Sequence, residues 1–586
     1  MTFSKLASYF EQLETTSKRL ELIDILSRLF KESKADEIGK ICYLIQGRVA
    51  PFFEPTELGM AESLVAQAIA MAYGTNKDEV IKSYRRLGNM GLAASKLAKE
   101  SKVTKESKES KVSVSEVFGE LRKIAEFSGK GTVELKVTVL SDLMKKLDSV
   151  SVKHVVNIPL GTLRLGIGDP TVMDALSIAK TGKKDLRPLI EDAYNKTSDL
   201  GYVAEEFFKH GAKGLEHVKL IVGKPVRPAL AERMPNAEEA VKRLGDEFAA
   251  EPKFDGFRVA VHKNRDKVEL FSRNLENMTH AFPDLVEAIK LEVHAKSVIL
   301  EGEAIAFNPT TNEFLPFQET TKRRRKYEVE EMAKKLPLAL FTFDVLYLNG
   351  EDVTEKPHKE RRKLLERILH KNNAIVRLAE ERIIHTPEEI LEFFNEAVSE
   401  GLEGLMLKKL DSPYKAGGRG FHWIKFKRAS SGELNDTVDC VLLGVFVGKG
   451  KRTDFGVGGL LIGVYDEKND QFCSISRLGT GLTDEEFRHV NTLAKKLRVS
   501  HKPARVSSKI EPNFWVEPKV VMEIFADEIT KSPIHTAGAD EDGIGYALRF
   551  PRLVKFRETD KRAEDATTVD EIKKLYASQY VKKSKK

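Results

Sequence analysis

The stretch Pro252–Arg258, PKFDGFR, combines residue types that can carry out covalent chemistry. Lys253 stands two residues before an Asp-Gly pair, and Arg258 stands two residues after it. Such a pair between apolar residues is typical of a tight turn, so a hairpin with charged flanks is one interpretation. A lysine amine is a nucleophile only without its proton, and burial and a nearby cation such as Arg258 would lower its pKa. Lys253 is therefore a candidate nucleophile.

Two further pairs of charged residues alternate along predicted strands. Glu301 and Glu303 lie two residues apart in SVILEGEAIAF, so both point to the same face. Carboxylates this close repel each other unless a cation lies between them, and Mg²⁺ accepts such oxygen ligands and can bridge to a phosphate. Lys425 and Lys427 share a face in HWIKFKR and suit contacts with phosphates. The alternative is a solvated strand face for the glutamates and scattered surface cations for the lysines.

The elements that carry these residues fall into three regions that differ in their residue patterns. Apolar residues recur at three- and four-residue spacing up to about residue 210, which predicts an all-α region at 1–212. Short runs rich in β-branched and aromatic residues, with helices between them, predict an α+β domain at 213–428. Glycine-punctuated strands then predict a small β-barrel, such as an OB-fold, at 429–586.

Composition limits the class of protein. A chain of 586 residues is too long for a single core, and 41% hydrophobic with 32% charged residues is typical of a soluble globular protein. Three cysteines without a CxxC pair argue against a disulfide framework or structural zinc, so we expect a reducing, cytoplasmic location. We find no signal-peptide core and no apolar run of membrane-spanning length. Abundant Lys and Glu favour a thermophile.

Seven motifs in order resemble those of the nucleotidyltransferases that attach a nucleoside monophosphate to lysine. The match is to ATP-dependent DNA ligases of the archaeal and eukaryotic replicative type, and it covers nearly the whole chain. The motifs are EPKFDGFR, FSRNLENMT, LEGEAIAF, FTFDVLYLNG, EGLMLKK, WIKFKR and RFPRLVKFRETDKRAEDATT. The resemblance implies a three-domain fold, in which a helical DNA-binding domain precedes a nucleotidyltransferase domain and an OB-fold.

The resemblance also implies a role for each motif residue. Lys253 would carry AMP from ATP to the 5′-phosphate of a nick in duplex DNA, with Mg²⁺ or another divalent cation bound by Glu301, Glu303 and Glu403. Glu251 would accept a hydrogen bond from the adenine amino group, and Phe343 would stack on the base. The remaining cations would bind the ribose, the 5′-phosphate, the α-phosphate or the pyrophosphate; they are Arg258, Arg273, Lys425, Lys427, Arg549 and Lys561.

Two other functions share parts of this pattern. An mRNA-capping guanylyltransferase uses the same lysine chemistry, but we would not expect it to carry 200 helical residues before the lysine. A non-catalytic DNA-binding scaffold would have no use for a buried reactive lysine. We expect a monomer that binds nicked duplex DNA, and a sliding clamp is a candidate partner. Leu6, Tyr9 and Phe10 have the spacing of a clamp-binding peptide, although an amphipathic helix packed into the domain is favoured.

Overall fold

The chain forms two compact units, Met1–Lys219 and Leu220–Lys586. The computed structural model describes residues 1–581 except 102–109, 130, 164, 235, 309–313, 316–319, 321, 324–327, 401, 428–436, 448–456 and 480–481. Among the described residues, no helix is long and apolar enough to cross a membrane. Cys42, Cys440 and Cys473 are buried and unpaired, which fits the predicted absence of a disulfide framework.

The first unit is helical, as the apolar spacing predicts. Its packing pairs helices that are distant in sequence, including the second with the tenth and the sixth with the ninth. The helices are α1 (Phe3–Glu14), α2 (Arg19–Glu32), α3 (Ile38–Leu44), α4 (Glu62–Tyr73), α5 (Lys77–Leu87), α6 (Met90–Glu100), α7 (Val114–Glu126), α8 (Thr132–Lys145), α9 (Ser149–Asn157), α10 (Asp169–Thr181), α11 (Arg187–Thr197) and α12 (Leu200–Glu216).

Helix α1 belongs to the core of this unit. Thr2 caps its N-terminus by accepting a hydrogen bond from the Lys5 N–H, and Leu6, Tyr9 and Phe10 are buried. The same three residues would have to be exposed to bind a clamp as a peptide. The packed amphipathic helix, which the sequence favours, is therefore the interpretation that the structure bears out.

The second unit begins with two sheets and the helices that cover them. Its strands are β1 (Leu230–Arg233), β2 (Phe248–Lys253), β3 (Phe257–Asn264), β4 (Lys267–Ser272), β5 (Ser297–Ala306), β6 (Leu338–Leu348), β7 (Glu351–Asp352), β8 (Val376–Leu378), β9 (Arg382–Ile384), β10 (Gly404–Lys409) and β11 (Arg419–Lys427). Its helices are α13 (Ala237–Leu244), α14 (Pro283–Glu292), α15 (Val329–Lys335), α16 (His358–Ile368) and α17 (Pro387–Ser399).

Each sheet has a core of its own. The first sheet has the order β1-β11-β10-β2-β9, and α13 and α17 pack their apolar residues against it. The second has the order β4-β3-β5-β6-β7, with β8 beside β6, and it packs against α14 and α16. Lys253 ends β2 of the first sheet and β3 opens the second sheet at Phe257, so the Asp-Gly turn joins the two sheets.

A third set of strands completes the unit. They are β12 (Thr437–Phe446), β13 (Gly459–Asp466), β14 (Gln471–Leu478), β15 (Arg498–Val499), β16 (Val506–Ser507), β17 (Phe514–Val516), β18 (Val521–Phe525), β19 (Glu528–Ser532), β20 (Gly545–Arg549) and β21 (Arg552–Phe556). Two helices pack against them, α18 (Asp484–Leu497) and α19 (Val569–Val581). Strand β12 pairs with β13, β17 and β18, which gives a half-barrel. The predicted succession of helical, α+β and strand-rich regions is confirmed.

A fully buried ion pair holds α16 against the second sheet. Arg361 Nε lies 2.8 Å from Asp344 Oδ1, and Arg361 Nη2 lies 2.9 Å from Asp344 Oδ2. Arg361 Nη1 donates to the carbonyl oxygens of Lys356 and Ser412. Burial alone would raise the pKa of Asp344, but the Arg361 guanidinium holds it below its usual value. The carboxylate therefore depends on this arginine for its charge.

We predict that Arg361→Met lowers the free energy of unfolding by about 3–5 kcal/mol, because it leaves the Asp344 charge buried without a partner. Urea unfolding of the full chain measures the change. Lys359→Met is the control on the same helix, since its ion pair with Asp411 is exposed and should matter far less. Equal effects of the two substitutions would contradict the prediction.

Candidate active site

A cavity of about 150 Å³ lies where the two sheets meet the C-terminal segment, defined as the described residues from 437 to 581. Strands β2 and β10 are antiparallel neighbours, with Lys253 opposite Gly404 and Glu251 opposite Met406. Strand β11 lies on the other side of β10 and places Lys425 opposite Met406. Because side chains two residues apart share a face of a strand, this register brings Glu251, Lys253 and Lys425 to the cavity.

The Lys253 amine contacts a carboxylate. Its Nζ lies 2.5 Å from Glu403 Oε2, and the Glu403 N–H donates to the Lys253 carbonyl oxygen at 3.0 Å. Both side chains are partly exposed, so the pair is open to a ligand in the cavity. The sequence predicts that Arg258 lies beside Lys253, but the Arg258 guanidinium forms an ion pair with Glu301.

Arg258 forms a buried network with Glu301. Its Nη2 lies 2.6 Å from Glu301 Oε2, and its Nη1 donates to the Ala229 carbonyl oxygen at 2.9 Å. The Tyr414 hydroxyl donates to the same Glu301 oxygen at 2.8 Å. Glu301 is therefore used in holding Arg258, and it is not among the residues that line the cavity.

Two acidic groups beside Lys253 have perturbed pKa values. Burial raises the pKa of Glu303 to about 7, although the positive charges of Lys253 and Arg258 oppose the shift. Burial also raises the pKa of Asp255, and the negative charge of Glu403 adds to that effect. Carboxyl groups this close compete for ionisation, which is the electrostatic situation that a bound divalent cation relieves.

The far end of the cavity has an aromatic wall and a buried carboxylate. Phe343 and Trp423 pack edge to face with their ring centroids 5.9 Å apart. Lys408 Nζ lies 2.7 Å from Glu251 Oε2 and donates to the Phe343 carbonyl oxygen at 3.0 Å. The Arg258 guanidinium lies 5.4 Å from the Phe343 ring centroid. This end can hold a flat base between an aromatic face and polar groups.

The C-terminal segment adds charges of both signs. Lys425 lies 3.4 Å and Arg419 3.0 Å from Glu571 Oε1 of α19. Burial opposes ionisation of Glu571, but Lys425 and Arg419 hold its pKa well below the usual range. Lys561 contacts Asp439, and burial lowers the pKa of this lysine to about 7, with Arg557 adding to the effect. The cations in this part of the cavity are therefore paired with carboxylates, and other anions such as phosphates could bind them instead.

Most residues predicted from the motifs line this cavity. They are Glu251, Lys253, Arg258, Arg273, Glu303, Phe343, Glu403, Lys425 and Lys561. Glu301 does not line the cavity and is bonded to Arg258 instead. This ion pair offsets the cost of burying the Glu301 charge. Arg549 is exposed at the end of β20 and is not a cavity residue in this arrangement. The Lys427 side chain lies outside the described residues.

Several cavity residues were not predicted. Asp255 lies within the lysine motif and Lys408 within EGLMLKK, so their motifs pointed to them, but neither stood out by type. Arg419, Asp439 and Glu571 lie outside any recognised pattern. Local sequence carries no signal for them, because they reach the cavity only through strand order and the packing of α19.

Three family models match successive parts of the chain. They are described as DNA ligase N terminus at residues 2–177, ATP dependent DNA ligase domain at residues 228–427, and ATP dependent DNA ligase C terminal region at residues 453–561. The chain belongs to the ATP-dependent DNA ligase family.

Full-length relatives agree with this assignment. The chain is 50% identical over 579 residues to a probable DNA ligase of Dictyoglomus turgidum, covering 99% of this chain and 98% of that one. It is 42% identical to a DNA ligase of Nitrosopumilus maritimus (99% and 98% covered) and 39% to one of Sulfolobus acidocaldarius (100% and 99%). The chain is thus an ATP-dependent DNA ligase that seals nicks, and the capping-enzyme and scaffold alternatives are not favoured.

A glycine beside the nucleophile motif leaves no room for a side chain. A Cβ on Gly256 would lie 2.3 Å from the Ala304 carbonyl oxygen and 3.1 Å from Glu303 Cγ. Contacts this short must displace β5 relative to the turn. Because Glu303 belongs to β5, the displacement would also move a cavity carboxylate.

We predict that Gly256→Ala slows ligation of a nicked duplex by about 100-fold, since misplacement by an ångström costs this much in positioned chemistry. Ligation of a labelled nicked duplex measures the rate. Gly119→Ala in α7 is the control, because a Cβ there meets nothing within 4 Å. Unchanged ligation by Gly256→Ala would show that the turn tolerates displacement.

Proposed function

We propose that Lys253 is the nucleophile of this ligase and that the cavity around it holds ATP. The observation that carries the proposal is the Lys253–Glu403 contact at 2.5 Å inside a cavity that also contains Glu303, Lys425 and Lys561. A nucleophilic amine needs an acceptor for its proton, and phosphoryl transfer needs cations where negative charge develops. The cavity offers both.

The first step transfers AMP to the lysine. The Lys253 amine gives up a proton, for which the Glu403 carboxylate lies within hydrogen-bond distance, and the free electron pair attacks the α-phosphorus of ATP. A nitrogen–phosphorus bond forms, and the bond to the bridging oxygen breaks to release pyrophosphate. An oxygen of the 5′-phosphate at the nick then attacks the phosphorus of the bound AMP, and the nitrogen–phosphorus bond breaks to release the Lys253 amine. Attack by the 3′-hydroxyl on that phosphate finally expels AMP and closes the strand.

We assign the base to the end of the cavity that contains Phe343, which would stack on adenine, and Glu251, which would accept from its amino group. Arg258 and Arg273 would contact the ribose or the 5′-phosphate. Lys425 and Lys427 would contact the α-phosphate and the nick phosphate. Lys561 would orient pyrophosphate. Arg549 would reach the nucleotide only after a movement of the C-terminal strands.

Mg²⁺ or another divalent cation fits at Glu303 and Glu403. The fit rests on the position of the two side chains, which both line the cavity. Burial, with the negative charge of Glu403 adding to it, raises the pKa of Glu303, and a bound cation would oppose that shift. A cation bound there would offset the charge of the phosphates. Glu301, predicted as a third ligand, is bonded to Arg258 and Tyr414, so it would support the site by holding Arg258.

The three regions of the chain receive separate roles in this proposal. Residues 1–212 would bind nicked duplex DNA, residues 213–428 would perform adenylation, and residues 429–586 would act as an OB-fold. Arg85 and Arg86 of α5 support the first role, because both are exposed and have no ion-pair partner among the described residues. Free surface cations suit contacts with phosphates that do not depend on sequence. We further propose a cytoplasmic monomer; a sliding clamp remains a predicted partner.

We predict that Lys253→Ala abolishes the AMP adduct and nick sealing, because it removes the proposed nucleophile, while DNA binding stays near that of the wild type. Mass spectrometry after incubation with ATP detects the adduct and its position. Lys267→Ala, at an exposed lysine on β4, is the control and should form the adduct normally. An AMP adduct on Lys253→Ala protein would show that another residue is the nucleophile.

We predict that Lys561→Met slows formation of the AMP adduct by about tenfold or more, since a buried cation that orients pyrophosphate acts in that step. Sealing of a nick supplied already adenylated releases no pyrophosphate and should slow less. Lys573→Met, at an exposed lysine of α19, is the control. Equal losses in the two steps would rule out a role specific to pyrophosphate.

We predict that removing residues 1–219 raises the dissociation constant for nicked DNA by about 100-fold or more, because the contacts with phosphates are lost. Formation of the AMP adduct should remain measurable, since Leu220–Lys586 is a compact unit by itself. Fluorescence anisotropy with a labelled nicked duplex, over a range of salt concentrations, measures the affinity. A truncated chain that binds as tightly as the full one would contradict the assignment of DNA binding to the first unit.

A further inference from the structure

Lys408 is a buried lysine at the base end of the cavity. Its side chain is 1% exposed, and its Nζ contacts Glu251 Oε2 at 2.7 Å and the Phe343 carbonyl oxygen at 3.0 Å. The same atom lies 4.9 Å from the Phe343 ring centroid and 4.7 Å from that of Trp423. A single cation therefore touches both residues that we assign to the adenine.

The strand register explains this position. Met406 of β10 stands opposite Glu251 of β2, so Lys408 is the next residue on the same face and the diagonal neighbour of Glu251. Leu405 and Leu407 point to the other face, into the core beneath α13 and α17. Burying a lysine costs free energy unless its charge is paired. Lys408 therefore needs the carboxylate of Glu251 to remain buried as a cation.

The two carboxylate oxygens of Glu251 have different surroundings. Its Oε2 is bonded to Lys408, whereas its Oε1 is buried and has no hydrogen-bond partner among the described residues. Arg362 Nη1 forms an ion pair with Oε1 at 3.8 Å, a distance too long for a hydrogen bond. Burial raises the pKa of Glu251, and the positive charge of Lys408 is the main influence that opposes the shift.

We propose that Lys408 is a positioning residue that sets the specificity of this ligase for adenine, by holding Glu251 as an ionised carboxylate with Oε1 free to accept. The inference rests on the proposed function of the cavity. Adenine presents an amino donor at the position where guanine presents a carbonyl acceptor. An ionised carboxylate can only accept, so it bonds the first and repels the second, whereas a protonated carboxyl group could donate to guanine.

The test compares nucleotides on the full-length chain. Wild-type protein and Lys408→Met are incubated with ATP or with GTP, and mass spectrometry follows the rate of adduct formation at Lys253. We expect the ratio of AMP to GMP adduct rates to fall at least about tenfold in Lys408→Met. Without the lysine charge Glu251 can be protonated, and a carboxyl group that can donate no longer rejects guanine. Lys409→Met is the matched control, since Lys409 is exposed on the opposite face of β10.

A double variant separates positioning from a general loss of structure. If Lys408 acts through Glu251, then Lys408→Met combined with Glu251→Gln should show the same nucleotide ratio as Glu251→Gln alone. Thermal unfolding establishes that each variant is folded. Lys408→Gln keeps an N–H donor without the charge, and it replaces Lys408→Met in the same comparison if that variant does not fold.

The outcomes for the two proposals are distinct. Wild-type protein that forms no adduct at Lys253 with ATP would overturn the proposed function itself. Wild-type protein that forms the adduct, together with a folded Lys408 variant whose ATP-to-GTP ratio stays within twofold of the wild type, would overturn the role of Lys408 alone. Losses that simply add in the double variant would also do so.

Discussion

The antiparallel pairing of β2 with β10 is the constraint on which the active site depends. It joins residues about 150 positions apart in sequence and places Gly404 beside Lys253, which brings the Glu403 carboxylate to the lysine amine. The pairing of β10 with β11 then adds Lys425 to the same face. A shift of one residue in either register would turn these charged side chains into the core beneath α13 and α17, which strongly disfavours any other alignment.

Buried ion pairs hold further polar side chains in place around the paired strands. Arg361 holds Asp344 next to Phe343, Arg258 holds Glu301, and Lys408 holds Glu251. Pairs of this kind add little net stability compared with apolar residues, because removing charges from water is costly. Their effect in this cavity is geometric. Two of the pairs fix a polar group at the cavity wall, Arg258 in one and Glu251 in the other, so that a bound nucleotide would meet a donor and an acceptor already in place. Arg361 and Asp344 do not line the cavity.

The C-terminal segment faces the cavity with both acids and bases. Glu571 lies against Lys425 and Arg419, and Asp439 lies against Lys561. These carboxylates contact the same cations that we assign to phosphate groups. A phosphate that binds Lys425 would therefore compete with Glu571 for one positive charge. Such a phosphate would weaken one of the contacts between β11 and α19.

The sequence by itself determined the family, the order of helical, α+β and strand-rich regions, and the residues that carry their own motif. Lys253, Glu303 and Phe343, which line the cavity, could be named in advance because each stands in a recognisable motif. Only the tertiary structure assigned Glu301 to Arg258, left Arg549 on the surface and brought Lys408 to Glu251. The physical reason is that periodicity shows which face of a strand a side chain occupies, whereas its partner depends on strand order and register. Those are decided by packing between segments distant in sequence, which is also why Glu571 of α19 could not be anticipated at the cavity.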